Sequence, residues 1–494
     1  MNKIISVPLL SALLICSCTT NNPTPEIPSG TILPSGDQLA YQQMEMVGFI
    51  HFTVNTFTDQ EWGTGAEYPS VFNPTKLDAE QWVETAKAAG MKELILTAKH
   101  HDGFCLWPSA YTEHSVKNSP YKNGNGDIVQ EFTDACRKHK LKVGLYLSPW
   151  DRNHKDYGTE AYIAYYRNQL KELLTNYGEI NEIWFDGANG GFGYYGGANE
   201  ERRIDKRTYY DWVNTIALVK ELQPDTKIFS DAGPDIRWVG NEHGYAGETF
   251  WSTISTDSLI IGGSDPGYLN TGDPDGNSWI IGQCDVSVRP GWFYHAMEDS
   301  LVKTPHQLVD IYYKSVGRNG VLLLNLPPDR RGLIHENDVA AVTAFKKILD
   351  ETFYNNLALQ NKVTLVSENT CDTRKSFWNL TDGNTETYWT ACPESDTVSL
   401  VIDLALETVL DRILLQEAIQ YGQRISRFSI SIPDNNDWKT IARGTTIGYK
   451  RILRLPEVTT RKIRIDLEEY TSSPVLTEIS IYKSSKGEKS PIDN

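Results

Sequence analysis

The sequence is poor in the residues and runs on which several classes of protein depend. Basic residues are outnumbered, 47 Lys and Arg against 64 Asp and Glu, leaving a formal charge of −17. That balance argues against a nucleic-acid partner, whose phosphates are neutralised by Lys and Arg. The seven cysteines (16, 18, 105, 136, 284, 371 and 392) contain no CxxC pair, so a zinc ribbon has no support. No HExxH helix and no HxH strand pair is present, and no GxGxxG follows the first apolar run to cradle a dinucleotide. After the first residues, no apolar run is long enough to cross a bilayer. What is abundant is aromatic, with 13 Trp and 25 Tyr among 494 residues. Flat amphipathic rings suit sugar faces, although large cores use them too. The length exceeds what one core usually fills, so more than one domain is expected.

The N-terminus reads as a targeting segment. Lys3 gives a positive start, "IISVPLLSALLI" is a short apolar run, and "ICSC" resembles a bacterial lipoprotein signal in which Cys18 is lipidated. Residues 1–18 are thus expected to be removed or anchored. Residues 19–38, rich in Pro, Ser, Thr and Asn, read as a flexible tether. The expected product is an exported, lipid-anchored protein of a bacterium, in the periplasm or at the outer membrane or cell surface, meeting membrane only through its anchor.

From residue 39 to 355, short apolar runs alternate with helical periods. The strand-like runs are "MVGFIHF", "ELILTAKHH", "KVGLYLSPW", "EIWFDG", "KIFSDAG", "GQCDVSV" and "GVLLLNLPP". The helix in "LDAEQWVETAKAAG" has Asp78 as its cap and Gly90 as its stop. Repeated strand–helix units of this length predict an α/β domain of the (β/α)8 barrel type. Residues 356–484 change texture: short strands rich in β-branched residues predict an all-β sandwich. Residues 485–494 read as a disordered tail. Cys371 and Cys392 share that late segment and are a candidate disulfide in an oxidising compartment.

In a barrel, function collects at the C-terminal ends of strands. Those ends present His51, then His100 and His101, then Trp150, Asp186 and Asp231. Histidines and aspartate are plausible metal ligands, but adjacent His100 and His101 point to opposite faces unless the chain has already left the strand, and no metal is expected. Paired carboxylates fit better, since glycoside hydrolysis needs one group to protonate the leaving oxygen and one to attack or stabilise the anomeric carbon. Trp184 lies on the same side of its strand as Asp186 and is expected to line the same pocket. Trp62, Arg237 and Trp292 join His51, His100, His101 and Trp150 as candidate sugar contacts, through hydrogen bonds to hydroxyls and rings against C–H faces. The alternative for Asp186 is an Asx-turn residue, which is common after strands.

Six stretches, "HFTVNTFTDQEWGTG", "LTAKHHDGFCLWPS", "GLYLSPWDRN", "EIWFDGANG", "GPDIRWVGNEHG" and "SVRPGWFYH", resemble, in order, the motifs of glycoside hydrolase family 29, the α-L-fucosidases. The resemblance implies a barrel and a retaining mechanism with Asp186 as nucleophile. It also implies a fucose pocket of His51, His100, His101, Trp62 and Trp184. "GPDIRWVGNE" is similar to the branch specific for α-1,3/1,4 linkages, which implies Glu242 as acid/base and Lewis-type fucosylated glycans as substrates. Glu248 is its main rival, followed by Asp235. The Gly/Tyr-rich insertion "GFGYYGGANEERRIDKR" is expected to reshape the aglycone region. An acid working near neutral pH needs a raised pKa, so Glu242 is expected in a dry, aromatic setting against Trp238, about 5–5.5 Å from Asp186.

"SFWNLTDGNTETYWTA" followed by "SLVIDL" resembles discoidin-like (factor 5/8 type C) domains. That implies a sandwich that either binds sugar or is structural, and that can hold a structural calcium. No cofactor is expected for the chemistry. The alternatives are a retaining exo-glycosidase of other specificity, such as an α-galactosidase, and an inactive surface glycan-binding lipoprotein.

Overall fold

The computed structural model describes residues 25–366, 374–392 and 397–488. Eight parallel strands close into a barrel: β1 (Met46–Ile50), β2 (Glu93–Lys99), β3 (Lys142–Leu147), β4 (Glu182–Trp184), β5 (Lys227–Ser230), β6 (Ile236–Trp238), β7 (Ile281–Ser287) and β8 (Val321–Asn325). Each pairs with its neighbours in sequence, and β8 returns to β1. Seven of them are the apolar runs of the sequence. The eighth, β6, lies inside "GPDIRWVGNE". It follows β5 through residues 231–235 with no helix between, so the strand–helix rhythm does not signal it.

The outer helices begin where the caps dictate. Asp78 accepts from the Glu80 and Gln81 N–H groups to start Ala79–Ala88, and Gly90, at φ +89°, ends it. Asp127 caps Ile128–His139 in the same way, through Gln130 N–H. Inside the barrel, Val47, Phe49, Ile95, Tyr146, Trp184, Phe229, Ile236, Ile281 and Leu323 form one core, with Trp184 stacked on Phe229 at 4.0 Å.

The expected tether is ordered in its second half. Ser35 and Gln38 form a capping box for the helix Gly36–Gln42, and Gln38 Nε2 donates to Trp279 O at 2.7 Å. Tyr41 of that helix is fully buried beneath the barrel, its hydroxyl donating to Glu182 Oε2 at 2.8 Å. A Pro/Ser-rich composition did not reveal these anchors. Residues 1–18 lie outside the described residues.

The second domain is an antiparallel sheet of seven strands around its own core, including Leu400, Ile402, Ile413, Phe428, Ile463 and Ile465. Runs that read as separate strands in sequence are continuous. "SLVIDLA" and "RILLQEA" share the 20-residue strand Val398–Glu417, bent at irregularities near Ala405 (φ +65°). The tail expectation is corrected at its start: Glu488 is buried and pairs with Arg412 at 2.8 Å, the two side chains being 2% and 3% exposed. Cys105, Cys136 and Cys284 are free and buried, while Cys392 is disulfide-bonded. Its expected partner, Cys371, lies outside the described residues.

Candidate active site

The strand ends bring most of the candidate residues together. His51 follows β1, and its Nδ1 meets Asn325 Oδ1 at the end of β8 at 2.9 Å. Burial drives its pKa down to about 3, so it is neutral. After β2 the chain turns at once, with Gly103 N–H donating to His100 O. The two imidazoles can therefore share one side, their centroids 4.1 Å apart. Ser148 donates to Trp150 O at 2.6 Å and accepts from His101 Nδ1 at 2.7 Å, which assigns the His101 proton to Nδ1. His101 Nε2 is 3.9 Å from Asp186 Oδ2. His100 stacks on Tyr146, and its buried Nδ1 has no hydrogen-bond partner. Burial lowers the pKa of both histidines, so each is neutral, and His101, its proton committed to Ser148, presents Nε2 as an acceptor for a hydroxyl group.

Asp186 sits just past the end of β4. It accepts from the Tyr146 hydroxyl at 3.0 Å and from Ala188 N–H at 2.7 Å. The Ala188 contact forms the Asx-turn, but the carboxyl also lines a cleft of about 270 Å³ with Trp184, Phe229, Trp238, Asp231, Glu242 and Asp285. Glu242 accepts from Trp292 Nε1 at 3.1 Å. Glu242 is exposed, so the dry setting expected for it is corrected. Its aromatic partner is Trp292, because Trp238 Nε1 is committed to Asp285 Oδ1 at 2.8 Å.

Around this pair, the Trp62 ring lies edge-on to His101 and Trp150, each at 5.7 Å. Trp150 Nε1 donates to Tyr195 of the Gly/Tyr-rich insertion at 2.9 Å, so the insertion folds over this edge of the site. Trp292 packs on His51 at 5.1 Å. Its loop is held by Glu61, which accepts from Trp292 N–H and Phe293 N–H at 2.9 and 3.1 Å and meets His295 Nε2 at 2.7 Å.

Three candidates are elsewhere. Arg237 is fully buried, stacked on Phe250, and donates to the carbonyls of Leu269 and Trp251 at 3.1 and 2.8 Å. Strand alternation explains the misreading: Ile236 and Trp238 face the barrel interior, so Arg237 must face out. Glu248 pairs with Arg318 and, at 2.6 Å, with Arg451. Asp235 accepts from Ile228 N–H and Lys220. Neither rival of Glu242 lines the cleft.

Two further carboxyls do line it. Asp231 has its pKa raised to about 7 by burial, with the Asp186 charge adding to the effect. Asp285, 4% exposed, is raised well above the carboxylate range by burial and then by Glu242. Asp285 was missed because it lies within β7 instead of at a strand end. Its signal was alternation: Gln283, Asp285 and Ser287 meet Trp184, Trp238 and Asn325 inside the barrel. Among the described residues, no three His, Cys, Asp or Glu side chains converge as a metal-binding group.

The family model described as Alpha-L-fucosidase matches residues 39–351, and the F5/8 type C domain model matches residues 366–480. Alpha-L-fucosidase 1 of Arabidopsis thaliana is 43% identical over 470 residues, 93% of this chain and 88% of that protein. A glycoside hydrolase 29 family member from an unknown rumen bacterium is 45% identical with a TM-score of 0.83, covering 94% of this chain and 79% of that one. A Ruminococcus gnavus glycoside hydrolase 29 fucosidase solved in complex with fucose is 34% identical with a TM-score of 0.84, covering 95% and 98%.

Proposed function

The chain belongs to the α-L-fucosidase family, glycoside hydrolase family 29, and is an α-L-fucosidase; from that premise we propose that it is a retaining exo-enzyme releasing terminal α-1,3/1,4-linked fucose from Lewis-type glycans. The observation that carries the mechanism is the shared cleft of Asp186 and Glu242, with Asp186 held by Tyr146 and the Ala188 N–H. Asp186 attacks the anomeric carbon as the glycosidic C–O bond breaks, and Glu242 gives its proton to the departing oxygen. Water then loses a proton to Glu242 and attacks the same carbon, which frees Asp186. Two inversions give retention, and the balance is glycoside plus water to fucose plus alcohol. His51, His100, His101, Trp62, Trp150, Trp184 and Trp292 bind the sugar. Neutral imidazoles meet hydroxyls without adding charge beside the nucleophile, and His101, its proton on Nδ1, does so through Nε2 as an acceptor.

The α-1,3/1,4 preference rests on "GPDIRWVGNE". Export and anchoring through Cys18 rest on residues 1–18; Cys18→Ala should move the protein from the membrane to the soluble fraction. A structural calcium in the second domain rests on its F5/8 type C match alone, since among the described residues no three His, Cys, Asp or Glu side chains converge there. The decisive assay compares wild type with Asp186→Ala on a nitrophenyl fucoside, Lewis trisaccharides and 2′-fucosyllactose. Release of fucose from the Lewis sugars by wild type alone is expected. Activity on the other two without the Lewis sugars would refute the linkage, and full activity of Asp186→Ala would refute the nucleophile.

A further inference from the structure

The segment that carries Glu242 runs from the cleft to the antiparallel domain, and side chains of that domain complete its backbone hydrogen bonds. Thr446 Oγ1 accepts from Phe250 N–H at 2.9 Å. Gln423 bridges two positions: its Oε1 accepts from Ser252 N–H at 2.9 Å and its Nε2 donates to Phe250 O at 2.8 Å. Thr446 and Gln423 are both buried. Arg451 donates to Glu248 O at 2.8 Å and to Glu248 Oε2 at 2.6 Å, and Thr445 donates to Glu248 O at 2.6 Å.

Little slack separates these contacts from the acid. Ala246 N–H donates to Lys314 O at 2.9 Å, and Asn241 Oδ1 accepts from His243 and Tyr245 N–H groups, tightening the turn that holds Glu242. A general acid displaced by about 1 Å loses much of its effect, because proton transfer needs hydrogen-bond reach. We infer that the antiparallel domain is a positioning element for the reaction, fixing the Glu242 segment through Gln423, Thr446 and Arg451. None of these residues lines the cleft, and the inference rests on reading Glu242 as the acid/base.

The leaving group separates this role from a merely structural one. A sugar alkoxide cannot depart without a proton, whereas a nitrophenolate largely can. For Gln423→Met/Thr446→Val in the full chain, kcat/KM on a Lewis trisaccharide should fall about tenfold or more, within the range general acids contribute. On nitrophenyl fucoside the fall should stay within about twofold, because little general-acid help is needed there. KM for the Lewis sugar should change little. Glu248→Gln, at a side chain 64% exposed, keeps the fold if the buried double variant does not, and should show the same split in weaker form. Glu242→Gln is the reference and must show the largest split. If it does, while the folded clamp variants lose both substrates equally or neither, the positioning role is overturned and the acid/base reading stands. If Glu242→Gln shows no split, the acid/base reading fails and the positioning role falls with it.

Discussion

Replacing Asp231 by Asn should stabilise the protein in a pH-dependent way. Asp231 Oδ2 accepts from Gly262 N–H at 2.6 Å, its Oδ1 is buried without a partner, and Asp186 lines the same cleft. Burial first, and the Asp186 charge after it, raise the carboxyl from an ordinary 3.8 to about 7. Between those values the native state holds a proton that the unfolded chain has lost, so stability falls as pH rises. The slope is about 1.4 kcal/mol per pH unit, and the cost levels off above pH 7 at about 4 kcal/mol. Asn keeps the acceptor toward Gly262, places an NH2 where Oδ1 is unpaired, and has nothing to titrate. The melting temperature of Asp231→Asn should therefore exceed that of wild type by a margin that widens between pH 5 and 7. That widening is about 2 kcal/mol, or roughly 3–4 °C for a domain of this size. Calorimetry of both proteins across that range reads it directly. A margin independent of pH, or a wild type that gains on the variant as pH rises, would refute the reasoning.

Tyr146→Phe removes the hydroxyl that holds Asp186 Oδ2 and should lower kcat/KM on nitrophenyl fucoside about tenfold with little change in melting temperature, as steady-state kinetics and calorimetry would show. Glu488→Gln removes the nearer of the two carboxylates paired with buried Arg412, leaving Asp411 at 3.5 Å, and should destabilise the protein by about 1–3 kcal/mol while sparing the activity of the folded fraction, read by denaturant titration beside the fucosidase assay.

The sequence made the barrel legible because seven strands are apolar runs ending in a polar or aromatic residue, and those ends are the site. It hid β6, which is three residues long and has no helix before it. That one omission also misplaced Arg237, since without the strand there was no alternation to send its side chain outward. Asp285 was hidden for the converse reason: a carboxyl in mid-strand looks out of place until the interior of the barrel is seen to be polar near its C-terminal end. The separation of Glu242 from Glu248 needed tertiary partners, because only the fold brings Arg318 and Arg451 to Glu248. Glu488 sits in a stretch whose composition reads as disordered, and only the fold brings Arg412, Arg454, Tyr313 and Thr352 to its carboxylate.

The central claim is a covalent fucosyl intermediate on Asp186, in a cleft where Asp231, Glu242 and Asp285 are the competing carboxyls. Trapping with a 2-deoxy-2-fluoro-fucosyl fluoride, followed by peptide mass mapping, tests it most directly. The account predicts one fluorofucosyl adduct on Asp186, in the peptide containing "EIWFDGANGG", and none in Asp186→Ala. An adduct on any of the other three carboxyls would contradict it, as would turnover of the reagent to the inverted fluorofucose.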